Sequence, residues 1–256
     1  MILSAFETYI KRLQEILEKI KNDQKEKIVR VSNLMAECIS NDGIVHFFGS
    51  GHSILPVMDV FPRYGSFIGL NPLIDPRLMW FSATGPASAP GLLLVERKEN
   101  YVADGFLRYQ PIKSGDILVV YSHGGLNAAP IEAALYGKKV GTTVIAITSM
   151  TNQNISRPTH SSGKKLSDIA DITIDNCVPP EDALIALEGR KEKVAAVSTI
   201  AAMAITMSLI AETAFILNNK GKELKIFVSP NVEGFGVDYN LKVFDEYQRV
   251  IRNHYD

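Results

Sequence analysis

The segment Ile44–Ser53, IVHFFGSGHS, places a short run of β-forming apolar residues directly before a loop of glycine and serine. Glycine lets the backbone approach a ligand closely, and Ser53 suits the first position of a helix. A strand, a tight loop and a helix N-terminus in succession present backbone N–H groups and a helix dipole that favour an anion. The segment therefore predicts an anion site, and phosphate is the expected anion.

A second unit of the same kind follows at 116–137, DILVVYSHGGLNAAPIEAALYG. Ile117–Tyr121 is a continuous apolar run, as expected for a strand buried on both faces. Thr142–Thr148 and Asp171–Ile174 read as further strands. Strands that alternate with helices predict parallel βαβ units with right-handed crossovers. Ligands of such sheets bind beyond the carboxyl ends of the strands, so the two Gly/Ser loops are expected to converge.

Apolar spacing and turn residues predict the remaining elements. The expected helices are Leu3–Ile39 as one helix or two in succession, Ile54–Tyr64, Leu92–Tyr109, a helix that Gly137 stops, Val194–Leu217, and a last helix to about Arg252. The other expected elements are a short strand at Phe67–Leu70, a Pro- and Gly-rich loop at Asn71–Gly91, and a strand at Lys225–Ser229.

Composition narrows the class of protein. The chain has 256 residues, 46% of them hydrophobic, and a formal charge of −1, which indicates a globular protein without the basic excess of a nucleic-acid-binding face. Its two cysteines favour a reduced, cytoplasmic protein. Val194–Leu217 is long enough to span a bilayer, but it contains Glu212 and several hydroxyls, so we interpret it as a buried helix and expect no membrane. No His, Cys, Asp or Glu group has metal-ligand spacing, and we expect neither a metal nor a cofactor.

Several ordered segments resemble the sugar isomerase (SIS) domain: GSGHS, YSHGGLN, ALYGKKVGTTVIAIT and SDIADITID, within roughly 28–217. The resemblance implies an α/β fold, with a five-stranded parallel flavodoxin-like sheet in a three-layer α/β/α arrangement, and a phosphosugar ligand. We expect an N-terminal helical extension at 1–41, the SIS domain at 42–219, and a C-terminal segment at 220–256 that completes the same domain.

The same resemblance implies the phosphate-binding residues. Ser50, Gly51 and Ser53 match the first loop of the family, and Ser122 and Gly125 match the second. Two further positions of the second loop depart from the family, which usually has hydroxyls there: Gly124 and Asn127. The backbone N–H of glycine and the side-chain amide of asparagine still donate hydrogen bonds, so both residues are included in the predicted site.

A closer resemblance is to bacterial UPF0309 proteins, which are similar to phosphoheptose isomerases; its segments include LLLVERKENY, RPTHSSGKKL and SPNVEGFGVDYN. Phosphoheptose isomerases use a Glu after the first loop and a His on a late helix. Here Arg63 lies at about the position of that Glu, and Val194–Leu217 contains no His.

Other residues are therefore the candidates for catalysis. Glu96 ends an apolar stretch after the Pro/Gly loop, where partial burial would raise the pKa of its carboxyl toward that of a general base. The alternative is a solvated carboxylate paired with Arg97 or Lys98. His52 lies inside the phosphate loop as an acid or hydrogen-bond donor, with a capping or packing role as the alternative.

The other polar candidates have weaker support. His160, in a polar loop, and Asn231, in the C-terminal loop, are candidate sugar-binding residues, with solvated-loop and turn roles as the alternatives. His123 is similar to His52 but is free to point away from the ligand. We interpret His46 as a core histidine and His254 as uninformative.

The favoured function is binding of a phosphorylated sugar or amino sugar, followed by aldose–ketose isomerisation with Glu96 as the base. A lyase or etherase acting on an amino-sugar phosphate and a non-catalytic phosphosugar sensor remain open. The apolar helix and the N-terminal helices favour a homodimer or homotetramer.

Overall fold

The computed structural model describes residues 4–80 and 88–255, and a five-stranded parallel sheet lies at its centre. The strands are β1 Val45–Gly49, β2 Leu70–Leu73, β3 Ile117–Tyr121, β4 Thr143–Thr148 and β5 Ile172–Asp175. Their order is β2-β1-β3-β4-β5, so the chain first adds β2 on one side of β1 and then continues on the other. The order reverses between β1 and β3, which is where such sheets bind ligands.

Helices cover both faces of the sheet. The α-helices of the described residues are α1 Ala5–Asp23, α2 Lys25–Ser40, α3 Leu55–Met58, α4 Ser88–Val95, α5 Tyr101–Gly105, α6 Ala128–Val140, α7 Met150–Ile155, α8 Leu166–Ile169, α9 Ser198–Asn219 and α10 Val237–Tyr255. An antiparallel hairpin, β6 Ala183–Ala186 with β7 Lys193–Ala196, precedes α9.

The period-2 alternation of a strand separates two cores. Phe47 of β1 lies in the core beneath α2 and α9, whereas Phe48 lies in the core beneath α4, α5 and α6. β1 and β3 are buried on both faces because helices cover both, whereas Thr173 and Asp175 of the edge strand β5 are only half-buried. The predicted three-layer α/β/α fold is confirmed, and Ile117–Tyr121 is a strand with the predicted bounds.

The first half of the chain departs from several predicted elements. The helix predicted for Ile54–Tyr64 is a 3₁₀ turn followed by α3, which ends at Met58. The strand predicted for Phe67–Leu70 begins at Leu70 instead, after Gly69 takes a φ of +115°. That strand occupies the start of the predicted loop Asn71–Gly91, of which residues 81–87 lie outside the described residues.

The helix predicted for Leu92–Tyr109 is broken into three pieces: α4, α5 and the 3₁₀ turn Leu107–Tyr109. α4 has already ended at Val95, and Asn100, the N-cap of α5, takes a left-handed φ of +65° that separates α5 from the preceding residues. The buried Glu132 of α6 accepts hydrogen bonds from the N–H groups of Val102 and Ala103 and thereby supports the start of α5. Apolar spacing carried no sign of this break.

The helix end predicted at Gly137 lies at Gly141 instead. Gly137 does not stop α6, which runs to Val140 and ends at Gly141 with a φ of +96°. Gly137 is instead required by packing, because a Cβ there would lie 2.7 Å from Thr142 Oγ1 and 2.9 Å from Leu118 Cδ2. The prediction identified the right region and the wrong glycine.

The C-terminal half differs at three places. Val194 belongs to β7, and α9 begins only at Ser198. The strand predicted for Lys225–Ser229 is a single bridge between Ile226 and Phe67. α10 extends to Tyr255, three residues beyond the predicted end.

The N-terminal segment forms two helices, which was one of the predicted forms. Ser4 caps α1 in a capping box with Glu7, and α2 packs along α9 with Val31 and Met35 fully buried.

α9 is long and apolar enough to cross a membrane, but one face of it, including Ile205 and Leu209, lies in the core. The interpretation as a buried helix holds for that face. The domain boundaries at 41 and 219 stay predictions.

Candidate functional site

The first Gly/Ser loop turns sharply at the carboxyl end of β1. A Cβ at Gly49 would lie 2.1 Å from the backbone oxygen of Ser53, and Gly51 takes a left-handed φ of +60°. The turn is closed by a hydrogen bond from the Ser53 N–H to the Ser50 oxygen, 3.1 Å. Only glycine fits position 49 without a shift of the backbone, and glycine takes the left-handed conformation at position 51 without strain. The loop therefore has the compact form that an anion cradle needs.

The second loop lies at the carboxyl end of the neighbouring strand, β3. Ser122 Oγ accepts a hydrogen bond from the Gly125 N–H, 3.0 Å, and Gly125 takes a φ of +62°. Asn127 precedes the first turn of α6, so the loop ends at a helix N-terminus. Gly49 and Tyr121 are register partners, which brings the two loops side by side as predicted.

Glu96, immediately after α4, links the two loops. Its Oε1 accepts a hydrogen bond from Asn127 Nδ2 of the second loop, 3.0 Å, and its Oε2 lies 3.5 Å from Ser50 Oγ of the first. The Glu96 backbone oxygen also accepts from the Ala129 N–H of α6, 2.9 Å. The sequence placed Glu96 at the site only by its position after an apolar stretch. The structure brings it together with Ser50 and Asn127.

Burial and a neighbouring cation act in opposite directions on Glu96. The residue is 8% exposed, and this burial raises the pKa of its carboxyl. The guanidinium of Arg97, 2.6 Å from Glu96 Oε1, and the hydroxyl of Ser50 lower the pKa without cancelling the effect of burial. A carboxylate with a raised pKa is better matched to proton abstraction than an ordinary surface glutamate.

His52 is exposed at the first loop and lies against Trp80, with ring centroids 4.8 Å apart. Trp80 also lies near Gly51, since a Cβ on that glycine would be 3.5 Å from Trp80 Nε1. Trp80 was not among the predicted site residues. It lies inside the predicted loop, and nothing in its local pattern relates it to His52.

A narrow cleft runs between the two loops and the N-terminus of α9. It is lined in part by hydroxyl and amide side chains: Ser53, Ser122, Asn176, Ser198 and Thr199. Such side chains hydrogen-bond phosphate and sugar oxygens. The contributions of Asn176 and α9 were not predicted, because they depend on how the last strand and the hairpin pack.

The remaining predicted residues lie around this cleft or away from it. His123 lines the cleft, but its Nε2 lies 3.2 Å from the Pro180 oxygen, so the ring is directed toward the segment after β5. His160 contacts Ser162 Oγ at 2.9 Å and lies 3.8 Å from Glu99 Oε2. The first contact lies within the polar loop of His160, and the second reaches Glu99, which precedes α5.

Asn231 is exposed, and its backbone N–H donates to Ser229 Oγ, 3.4 Å. The chain just before it pairs with Phe67, ahead of β2 and near the opposite edge of the sheet. Within the described part of the chain, no hydrogen bond joins Asn231 to either loop. Its predicted sugar-binding role therefore has no support from its placement.

Arg63, at about the position of the glutamate of phosphoheptose isomerases, lies at the surface. Arg63 Nε lies 2.8 Å from Asp59 Oδ1, and both side chains are partly exposed. The late helix α9 contains no histidine. Glu96 is the buried carboxylate that the described residues place against both loops.

One cluster of potential metal ligands lies at the other end of the sheet: His46, Asp116 and His254. His46 is fully buried and hydrogen-bonded, as interpreted from the sequence. His254 contacts Asp116 Oδ2 at 2.8 Å, so the interpretation of His254 as uninformative was wrong. Spacing along the sequence cannot detect a cluster whose members come from three distant segments.

Comparison with known proteins gives consistent matches. Residues 8–149 match the SIS domain family. A UPF0309 protein of Caldanaerobacter subterraneus subsp. tengcongensis is 35% identical over 248 residues, with 96% of this chain and 98% of that protein covered. A UPF0309 protein of Halalkalibacterium halodurans is 32% identical over 244 residues, with 95% of each covered.

Two solved structures match this chain over most of its length at low identity. A phosphoheptose isomerase from Francisella tularensis shares 17% identity at a TM-score of 0.49, over 81% of this chain and 95% of that chain. The sugar isomerase domain of an RpiR transcription factor from Sphaerobacter thermophilus shares 13% identity at a TM-score of 0.43, over 96% of each chain.

Proposed function

Because the chain belongs to the SIS domain family and, within it, to the UPF0309 proteins, we propose that it binds a phosphorylated sugar or amino sugar between its two strand-end loops and isomerises it. The observation that carries this proposal is the position of Glu96, buried and hydrogen-bonded between the loops. A base at this point would stand next to a phosphate-held substrate.

The loops supply the anion site of this proposal. Backbone N–H groups, the hydroxyls of Ser50, Ser53 and Ser122, and the N-terminus of α6 would hold the phosphate. Gly124 offers a backbone N–H where relatives have a hydroxyl. Asn127 is committed to Glu96 through its amide, so its role is to orient the base while the hydroxyls contact the ligand.

The chemistry would be a proton transfer between neighbouring carbons. Glu96, ionised, would remove the proton from carbon 2 of the open-chain sugar and return it to carbon 1. Over the same steps the oxygen on carbon 1 gains a proton and the oxygen on carbon 2 loses one, with His52 as donor and acceptor. Proton transfer by a positioned base typically contributes about 10²–10⁴-fold to the rate.

A non-catalytic phosphosugar-binding protein is the second candidate. The ion pair between Glu96 and Arg97 favours it, because a carboxylate held by a guanidinium and an amide also suits a purely structural link between the loops. The two candidates share the ligand and differ in what happens to it.

Ligand binding is tested by thermal unfolding with a panel of sugar phosphates and the matching unphosphorylated sugars. A ligand that binds only the folded state raises the melting temperature, and we expect this for a phosphorylated sugar alone. Ser122→Ala should abolish the increase, whereas the control Ser208→Ala, on the exposed side of α9, should retain it. If no phosphosugar stabilises the protein, the proposed site is wrong.

Catalysis is tested on the sugar phosphate found in that screen. Wild-type protein in deuterium oxide should exchange the carbon-2 proton, and Glu96→Gln should slow this exchange by about 10²–10⁴-fold while still binding the ligand. Glu188→Gln, an exposed glutamate in the hairpin turn, is the matched control. Binding without exchange in the wild type would favour the non-catalytic candidate.

A further inference from the structure

Three residues from distant parts of the chain meet at the amino edge of the sheet. His46 lies on β1, Asp116 directly precedes β3, and His254 lies near the end of α10. Asp116 Oδ2 is 3.1 Å from His46 Nε2 and 2.8 Å from His254 Nε2, and the three ligand atoms lie within 4.8 Å of one another. We refer to these residues as the His–Asp–His cluster.

The carboxylate of this cluster is buried without a permanent cation beside it. The Asp116 side chain is 2% exposed, and no lysine or arginine among the described residues forms an ion pair with it. Backbone N–H groups of Ile44 and Lys113 donate to its two oxygens, at 2.9 and 2.8 Å. Buried carboxylates are normally paired or bound to a metal, so the negative charge at this position favours a cation.

The hydrogen-bond partners of His46 suit two tautomers. In the first arrangement, the Asn71 amide donates to His46 Nδ1, 3.0 Å, and accepts from the Tyr247 hydroxyl, 2.8 Å. Turning the amide over would let Asn71 accept from an Nδ1–H of His46 and donate to the Tyr247 oxygen. Amide orientation is set by the network, and the second arrangement frees the Nε2 lone pair of His46 for a metal.

Two of the three spacings between ligand atoms, those to Asp116 Oδ2, are close to the spacing in an occupied site, and the third, between the two histidine nitrogens, is at most 4.8 Å. Ligand atoms bound to one tetrahedral ion at about 2.0–2.1 Å lie roughly 3.3 Å apart. The two hydrogen-bonded contacts to Asp116 Oδ2 are a few tenths of an ångström shorter, so small movements would admit the ion. His254 also borders a solvent-open cavity of about 540 Å³, which provides an entry path and room for water ligands.

From these observations we propose that His46, Asp116 and His254 form a binding site for a divalent transition-metal ion that fastens α10 to the amino edge of the sheet. Two imidazoles and a carboxylate favour Zn²⁺, Fe²⁺ or related ions over Mg²⁺ and Ca²⁺, which prefer oxygen ligands alone. The site lies at the opposite end of β1 and β3 from the two Gly/Ser loops. Its function is therefore structural and independent of the proposed isomerase chemistry.

The test measures metal binding directly. Full-length protein is stripped with a chelator and equilibrated by dialysis against Zn²⁺, and Co²⁺ binding is followed by its visible absorption. We expect one Zn²⁺ per chain and a rise in melting temperature on loading. His254→Gln keeps a side-chain donor for Asp116 but loses the imidazole ligand. It should weaken binding by at least about 100-fold, because supporting residues outside the ligand set already contribute 10- to 100-fold.

Two further variants and a folding measurement complete the test. Asp116→Asn should also lose the ion, and the native-like circular dichroism of His254→Gln would show that its loss of binding is not a loss of fold. His160→Gln removes an imidazole elsewhere and should bind Zn²⁺ as the wild type does. Equal Zn²⁺ affinity in the wild type and His254→Gln, or no stoichiometric binding to the wild type, overturns the proposal.

Discussion

The two ionised groups at Glu96 and Arg97 differ sharply in their surroundings. The Glu96 carboxylate is nearly buried, whereas about half of the Arg97 side chain is exposed. The guanidinium of Arg97 therefore lowers the pKa of Glu96 from the solvent-exposed side of the site. Because exposed charges are screened by salt, its effect on Glu96 should weaken as ionic strength rises.

This arrangement predicts the response of activity to pH. Arg97 lowers the pKa of Glu96, so Arg97→Gln should raise that pKa further. The active form of the base is ionised, and the acid limb of the pH–rate profile should therefore move to higher pH. Lys98→Gln removes the same charge from the neighbouring exposed position and should leave the limb in place. An unchanged limb in Arg97→Gln would exclude Glu96 as the titrating base.

Local sequence predicted some residues of the candidate site and missed others. Ser50 and Ser122 were predictable because each follows a strand within a Gly-containing loop, and parallel strands bring such loops to one edge. Glu96 was predictable only as a candidate, since its partner Asn127 is 31 residues away. Trp80, Asn176 and His254 reach their contacts through tertiary packing that no local period encodes.

The second Gly/Ser loop, as an element, depends on one crowded glycine. Gly125 is left-handed, and a Cβ there would lie 1.6 Å from Gln153 Nε2 and 3.0 Å from Thr148 Oγ1. Gln153 is itself fixed, because its amide donates to the Gly124 oxygen and to Thr148 Oγ1. The loop thus has no room for a side chain at this position.

Replacing Gly125 should be costly. Gly125→Ala combines backbone strain of about 1–3 kcal/mol with a steric clash, so its free energy of unfolding should fall by more than that of Gly163→Ala. Gly163 has a similar φ of +67° but nothing within 4 Å of its Cβ position, so Gly163→Ala measures the backbone strain without the steric clash. Urea unfolding of both variants measures the difference. Equal losses would show that Gln153 moves aside freely.

Strands were predicted better than the ends of helices. The apolar runs of β1, β3 and most of β4 are buried on both faces, so their signal is strong and continuous, whereas β5 buries only the face of Ile172 and Ile174. Helix ends depended on single residues: Asn100 breaks the predicted 92–109 helix with a left-handed backbone, and Gly141 rather than Gly137 ends α6. A left-handed residue other than glycine leaves little trace in the sequence.

At the scale of the whole molecule, large exposed apolar side chains remain on several helices. Phe215 of α9 is 63% exposed and Phe6 of α1 is 73% exposed, although both helices also contribute to the core. Large exposed apolar side chains are candidates for an interface. These residues support the predicted homodimer or homotetramer.

The oligomer is testable by light scattering of the purified protein. The mass should be two or four times that of the chain, and Phe215→Glu should lower it by placing a charge within the apolar contact. Leu241→Glu makes the same change at an exposed position of α10 and should leave the mass unchanged. A wild-type monomer at micromolar concentration would contradict the prediction.

The order in which the chain is made gives α10 a particular place in folding. Domains begin to fold from their N-terminal part during synthesis, and all five strands precede α10 in the chain. Until α10 emerges from the ribosome, Asp116 at the amino edge lacks His254 and remains hydrated. Docking of the last helix then removes water from a charge that was already in place. We therefore expect that a nascent chain ending before α10 forms the sheet and leaves Asp116 exposed to water at the amino edge of that sheet.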